Sequence, residues 1–417
     1  MAPDAAARPR VGIEKIDAYP GALALDLEDL ARARDHDPAD LRDNLLVRRR
    51  SLNPIWEDPV TMAVNAARGM LGDDDRQRVE LLIVATESSV DQGKAIATWA
   101  HRFLQIQPNC RLFEAKQACY GATSALMMAA HWLMAGTSPG AKALVIATDQ
   151  SRMNIYEPYE YVNGAGAVAM LVSLEPRVLE LELSTAGYWS VEAADTFRPT
   201  SMVEMGNGEQ SLYCYLDALE GAFEHYRRKS GEAFSDLDSH FQKHLYHVPF
   251  GGITFQAHRT LLRHWKRMKK SEAWEHFARK SLPALTYNRQ VGAVYSGSTF
   301  LALMGLLDAC DDLQPGQRVG IYSYGSGSIG EFYSGLVCPE ARETVAAAGL
   351  ARRVQERQEV SVAEYEALER ERHNRIDCGT YRPYLGGLDG LYERAYEGQG
   401  RLVLRGVQDH FREYGWS

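Results

Sequence analysis

The chain has 417 residues, beyond the ~250–300 that one hydrophobic core usually organises, so two domains or a duplicated fold are expected. With 45% hydrophobic and 24% charged residues it has a globular composition, which excludes a disordered chain. A formal net charge of −9 argues against nucleic acid as a general partner. No apolar run approaches the ~18–20 residues that cross a bilayer, so no membrane partner is expected.

Residues 1–10 lack an apolar signal core and read as a flexible tail, which points to the cytoplasm. VGIEKIDAY (11–19) has the alternation of a first strand, and DLEDLARAR (26–34) reads as a helix with acids early and arginines late. Arg48, Arg49 and Arg50 precede a proline-broken loop. Asp58 then caps a helix with Pro59 at its first position. ELLIVATE (80–87) is a short continuous apolar run ending on Glu87, as in a strand covered on both faces. SSVDQGKAIATWAHRFL is expected to continue from it as a helix.

Residues 110–149 read as strand, tight turn, helix, loop and strand. The helix is apolar nearly all round from Ala118 to Ala135, which predicts a place deep in the core. Cys119 stands where the turn enters that helix. There the positive end of the macrodipole is expected to lower the pKa of its thiol. His131, on the same helix, is expected to be a core or interface histidine. KALVIATD (142–149) ends on Asp149, and GAGAVAMLVS (164–173) is a further buried strand. The tyrosine-rich IYEPYEYV (155–162) reads as packing or loop.

A loop-rich excursion through Asp195, Phe197, Arg198 and Pro199 leads to a long amphipathic helix over 211–231. HLYHVPF (244–250) is a strand ending near His247. Beyond it Arg259, Arg263, Lys266, Arg267, Lys269 and Lys270 predict a basic helix. Residues 288–310 read as helix and 317–335 as hairpin-like strands; the last third is charged and partly helical and closes on REYGWS. The six cysteines show no close pair resembling a zinc or redox motif, and no disulfide framework is expected.

An internal duplication emerges from this order. LLIVATE and its helix match HLYHVPF and its helix; ACYGATSALMMAAHWL matches AVYSGSTFLALMGLL. The strand pair KALVIATD and GAGAVAMLV matches RVGIYSYGSGSIGEFYSG. The division expected is 11–175 for a half that holds the nucleophile and 176–417 for a second half with insertions. Cys119 falls opposite Val294, the asymmetry that one site shared by two halves leaves behind.

ATESS around Glu87, EAKQACYGAT around Cys119, YHVPF around His247 and SYGSGSIGEFYS around Ser326 together resemble the 3-hydroxy-3-methylglutaryl-CoA synthase family. The resemblance implies the α/β thiolase fold, with two duplicated halves in αβαβα layers, and a homodimer in which the strand opened by Cys110 pairs across the interface. It implies that Cys119 takes an acetyl group, Glu87 is the general acid/base, and His247 polarises the acceptor ketone. It further implies an oxyanion and substrate site at Tyr324, Gly325 and Ser326, with support from Asp149 and Asp195. No metal or organic cofactor is implied; coenzyme A or the phosphopantetheine arm of a carrier protein serves as substrate carrier.

Two departures narrow the resemblance. Gly251 and Gly252 stand where a primary-metabolism enzyme carries a lysine that helps hold coenzyme A, and Ala293 replaces an asparagine near the acetoacetyl group. HVPFGGITFQAHR and LVLRGVQDHFREYGWS instead look like the polyketide β-branching subgroup, whose donor and acceptor are acyl carrier proteins. Those carriers are acidic, so the basic stretch from Arg259 to Lys270 is the expected docking surface, with Arg48–Arg50 as a second. A mevalonate-route enzyme using free acetoacetyl-CoA and a non-catalytic carrier-binding partner are the alternatives.

Overall fold

A computed structural model of the chain describes residues 9–263 and 268–417. Most of the expected tail therefore lies outside the described residues. Ten strands form one mixed sheet: β1 (Gly12–Tyr19), β2 (Val79–Ala85), β3 (Arg111–Ala115), β4 (Lys142–Gln150), β5 (Ala165–Ser173), β6 (Leu179–Leu181), β7 (Gly187–Ser190), β8 (Lys243–Tyr246), β9 (Arg318–Gly325) and β10 (Ile329–Val337). The principal helices are α1 (Leu27–Ala33), α2 (Pro59–Ala67), α3 (Ile96–Phe103), α4 (Gly121–Met134), α5 (Gly208–Ser230), α6 (Gly251–Arg263), α7 (Lys270–Lys280), α8 (Ser298–Ala309) and α9 (Val362–Arg375). No described helix is long and apolar enough to cross a membrane.

The sheet runs β8-β9-β10-β6-β1-β5-β4-β2-β3, with β7 paired to β10. In one half β2 is parallel to β3 and β4, and β5 turns back antiparallel to β4 and to β1. In the other half β8 is parallel to β9, and β10 turns back antiparallel to β9 and to β6. The two halves meet where β1 pairs with β6. The same progression twice over is the duplication seen in the chain. The buried runs of β4 and β5 carry no solvent-facing residue at all, as strands covered on both faces must.

Local rules set the ends of several elements. Asp58 caps α2 reciprocally with Thr61 and holds Pro59 at the first position, as its sequence requires. The helix expected straight after Glu87 begins only at Ile96. Asp91 Oδ1 accepts from the Gly93 and Lys94 amides at 2.7 and 2.6 Å, closing a turn that competes with the helix. The tail REYGWS is a strand: residues Phe411–Trp416 pair with Leu402–Gln408, and Tyr414 and Arg412 reach back to Asp58.

The central helices differ from each other. α8 is buried on every side through Leu307, whereas α4 leaves Met128 58% exposed and His131 exposed. The expectation of a fully interior α4 is thus corrected. Its open face lies beside the edge strand β3, where Phe113 is also exposed. The basic stretch is corrected as well. Met268 and Lys269 are not helical and α7 starts only at Lys270, so no single basic helix spans Arg259 to Lys270, and Lys266 and Arg267 lie outside the described residues.

Candidate active site

The site is built around the turn that precedes α4. Ala118 takes a left-handed conformation (φ 44°), and α4 starts at Gly121, two residues beyond Cys119. Cys119 Sγ donates to Glu87 Oε1 at 3.3 Å. Burial, then the neighbouring Glu87 carboxylate, push the thiol well above its ordinary pKa. The lowered value expected from the helix dipole is therefore corrected, because desolvation and a like charge outweigh a macrodipole effect of at most ~2 kcal/mol. Glu87 is raised too, chiefly by burial. The resting pair is thus a thiol held against a carboxyl, ready to pass one proton between them.

Glu87 leaves the end of β2 on a turn clamped by Asp149, at the C-terminal end of β4. Asp149 Oδ1 accepts from Thr86 Oγ1 (2.9 Å), the Glu87 amide (2.9 Å) and Ser88 Oγ (2.7 Å). Asp149 is fully buried, and burial raises its pKa as well. It holds the backbone that carries Glu87.

From the second half, β9 and its following turn close over the cysteine. Thr123 on α4 donates to Ser323 Oγ at 2.9 Å, and Gln117 Nε2 donates to the Ser326 carbonyl at 3.3 Å. Gly325 presses so closely that a Cβ there would come within 2.6 Å of both the Gln117 carbonyl and the Tyr120 amide. Asp195, also fully buried, fixes this turn: Oδ2 accepts from the Tyr324 hydroxyl at 2.7 Å and Oδ1 from the Gly327 amide at 2.9 Å.

His247 follows β8 and is anchored by its backbone. Its amide donates to the Tyr322 carbonyl (2.7 Å), and its own carbonyl accepts from Tyr215 (2.9 Å). Burial lowers its pKa to about 3, so the ring is neutral. Nδ1 lies 3.4 Å from Thr299 Oγ1, while Nε2 is buried with no hydrogen-bond partner among the described residues. A neutral imidazole with one open nitrogen can serve a substrate oxygen. Ala293 is tied by backbone bonds to Val162 and Gly164, 2.8 and 2.9 Å long.

Arg198 was seen in the chain only as part of a loop, yet its guanidinium reaches the Glu87 and Gln150 carbonyls at 3.5 and 3.2 Å and Glu204 at 3.3 Å. A lone arginine in an irregular stretch gives no periodic signal, so only tertiary contact reveals it. Conversely, Arg50 is 1% exposed and bonds the Glu160 carbonyl and Ser151, and Arg49 pairs with Glu359 and Asp26. These two serve the interior and an ion-pair cluster, which removes the triplet as a free docking patch.

The chain belongs to the hydroxymethylglutaryl-coenzyme A synthase family: the family's N-terminal model matches residues 8–176 and its C-terminal model residues 256–412. It is accordingly an acyl-transferring enzyme with the thiolase-like fold of that family. It is 37% identical to the polyketide biosynthesis 3-hydroxy-3-methylglutaryl-ACP synthase PksG of Bacillus subtilis, over 97% of this chain and 99% of PksG. It is 34% identical to a hydroxymethylglutaryl-CoA synthase of Enterococcus faecalis, over 86% of this chain and 91% of that one. The curacin biosynthetic pathway HMG synthase, solved in complex with acetyl donor-ACP, superposes with a TM-score of 0.93 at 38% identity, covering 98% of this chain and all of that one.

Proposed function

We propose that this enzyme adds an acetyl group, taken from a donor acyl carrier protein, to the β-ketone of a polyketide intermediate held on an acceptor carrier protein. The observation that carries the chemistry is the half-buried Cys119–Glu87 contact at 3.3 Å. Cys119 passes its proton to Glu87 as its sulfur attacks the donor thioester, and Glu87 hands that proton to the departing sulfur, so the acetyl-enzyme forms and the carrier leaves as a thiol. Glu87 then removes a methyl proton, and the enolate carbon bonds to the acceptor ketone carbon. The new alkoxide takes up a proton while His247 and the Gly325–Gly327 turn attend the oxygens. Water hydrolyses the Cys119 thioester, leaving a carboxylate on the branch.

The carrier-protein reading is supported by the likeness to PksG and the curacin enzyme, and by the start of α6. A Cβ at Gly252 would meet the Asn44 carbonyl at 1.9 Å, and one at Gly251 would meet Leu46 at 2.6 Å. No lysine fits where the 44–46 backbone presses on the helix. Arg259, Arg263, Lys269 and Lys270 remain as a docking surface split between two helices, three of them exposed. The open face of α4 beside edge strand β3, with Met128 and Phe113 exposed, favours a homodimer paired along β3.

Initial rates with acetyl-loaded donor carrier and either acetoacetyl-carrier or acetoacetyl-CoA as acceptor test the proposal. The carrier-bound acceptor is expected to win by at least about tenfold in kcat/KM. Equal or faster reaction with free acetoacetyl-CoA returns the chain to the mevalonate-route activity.

A further inference from the structure

The proposed condensation fixes only the reactive end of the acceptor. The thioester lies on one side of the β-ketone, and a polyketide chain continues on the other. That remainder needs room beside the catalytic groups. A cavity of about 410 Å³ reaches one of these groups, Glu87, and is within the size range of small-molecule sites and far larger than the single methyl of an acetoacetyl group needs. Thr86, Glu87 and Ser88 line it, so the catalytic acid is part of its wall. The end of α9 and the residue that follows it, Arg372, Arg375 and Ile376, line the same cavity.

The lining has a particular chemistry. Arg198 and Arg152 border the cavity with Gln150, and Arg375 is exposed at its outer wall. Arg372 is 4% exposed and lends one nitrogen to Glu369 at 2.8 Å, yet its Nε has no hydrogen-bond partner among the described residues. A buried donor left open beside a cavity costs free energy unless something fills the place of its acceptor. Ile55, Leu404 and Ile376 give the same cavity apolar wall for methylenes. The loop roof is tied down by the Ser201 hydroxyl, which donates to the Asp377 carboxylate at 2.5 Å.

We infer that this cavity receives the acceptor's acyl chain beyond the β-ketone and selects chains that carry hydrogen-bond acceptors such as hydroxyl or amide oxygens. The inference rests on the carrier-dependent condensation proposed above.

Three carrier-bound acceptors test it: acetoacetyl, a plain eight-carbon β-ketoacyl chain, and the same chain ending in a hydroxyl. Wild type and Ile376→Trp, which places a larger side chain in the cavity wall, are compared after both are shown to form the acetyl-enzyme at equal rates. Wild type is expected to prefer the hydroxylated chain over the plain one, because an unpaired buried donor penalises the chain that lacks an acceptor. Ile376→Trp is expected to leave acetoacetyl turnover within about twofold and to cut kcat/KM for the hydroxylated chain at least about tenfold. Equal losses on all three acceptors, no loss on any, or indifference of wild type to the hydroxyl would overturn the inference. Formation of the acetyl-enzyme with condensation onto none of the three would instead overturn the carrier-dependent reading, and this inference with it.

Discussion

The turn at Cys119 and its counterpart at Val294 have the same place in their halves and opposite fates. Each leads into a central helix, and each holds one non-glycine residue in the left-handed region, Ala118 in the first and Tyr295 (φ 49°) in the second. A left-handed non-glycine residue costs roughly 1–3 kcal/mol, so both turns are held by their surroundings. Around Cys119 those surroundings include the Glu87 carboxyl. Val294 instead has its amide capped by Ser298 Oγ at 2.9 Å and packs beside Gly166 and Gly297. The comparison teaches that a duplicated scaffold offers two positions for a nucleophile, and that the acid beside it decides which one is chemical. The second half then supplies groups to the first half's site: Gly325 against the cysteine turn, and His247 anchored on β9.

The largest effect is expected at the cysteine. Cys119→Ala should abolish the acetyl-enzyme and lower turnover on the order of 10⁴-fold or more, and adding Val294→Cys should not restore it, because Glu87 serves only the first turn. Intact mass spectrometry with rate measurements checks both. Glu87→Gln should slow condensation by about 10²–10⁴-fold. In wild type the base form of Glu87 is lost as pH falls through its raised pKa, so kcat should fall on the acid side, and a flat profile there would deny it the role of base. Asp195→Ala frees the Gly327 amide and the Tyr324 hydroxyl, and about a 10²-fold loss of kcat is expected with little change in acetyl-enzyme yield. Gly325→Ala should cost ~1–3 kcal/mol by thermal or denaturant unfolding, since its methyl meets backbone on both sides.

One further effect lies away from the contrast and controls for it. Glu57 is buried against Tyr19 and Tyr396, and burial raises its pKa from 4.5 to about 7. A carboxyl whose folded pKa is raised stabilises fully below its unfolded value and loses that contribution as pH rises through the folded one. Stability of wild type relative to Glu57→Gln should therefore decline between about pH 4.5 and about 7, followed by chemical unfolding.

Most strands of the sheet were legible because buried runs are apolar without alternation, whereas the short β6 and β7 were not, and the Asp58–Pro59 helix start is written in two adjacent residues. Glu87 and Asp149 could be picked out because each stands just past or at the end of such a run, and Cys119 because it stands where a turn enters an apolar helix. The state of the thiol could not, since its burial and its distance from Glu87 are tertiary facts. Arg50 looked like surface charge in a triplet, but its guanidinium meets the Glu160 carbonyl 110 residues away. The break at Met268 and Lys269 was likewise hidden, because lysines and arginines suit helix and loop alike.

The most direct test of the whole account is the intact mass of the wild-type protein after brief exposure to acetyl-loaded carrier protein, with acetyl-CoA and Cys119→Ala as controls. A single acetyl group should appear on wild type, faster from the carrier than from acetyl-CoA, and not at all on Cys119→Ala. No adduct on wild type, or one that persists in Cys119→Ala, would contradict the assignment of Cys119 as the nucleophile.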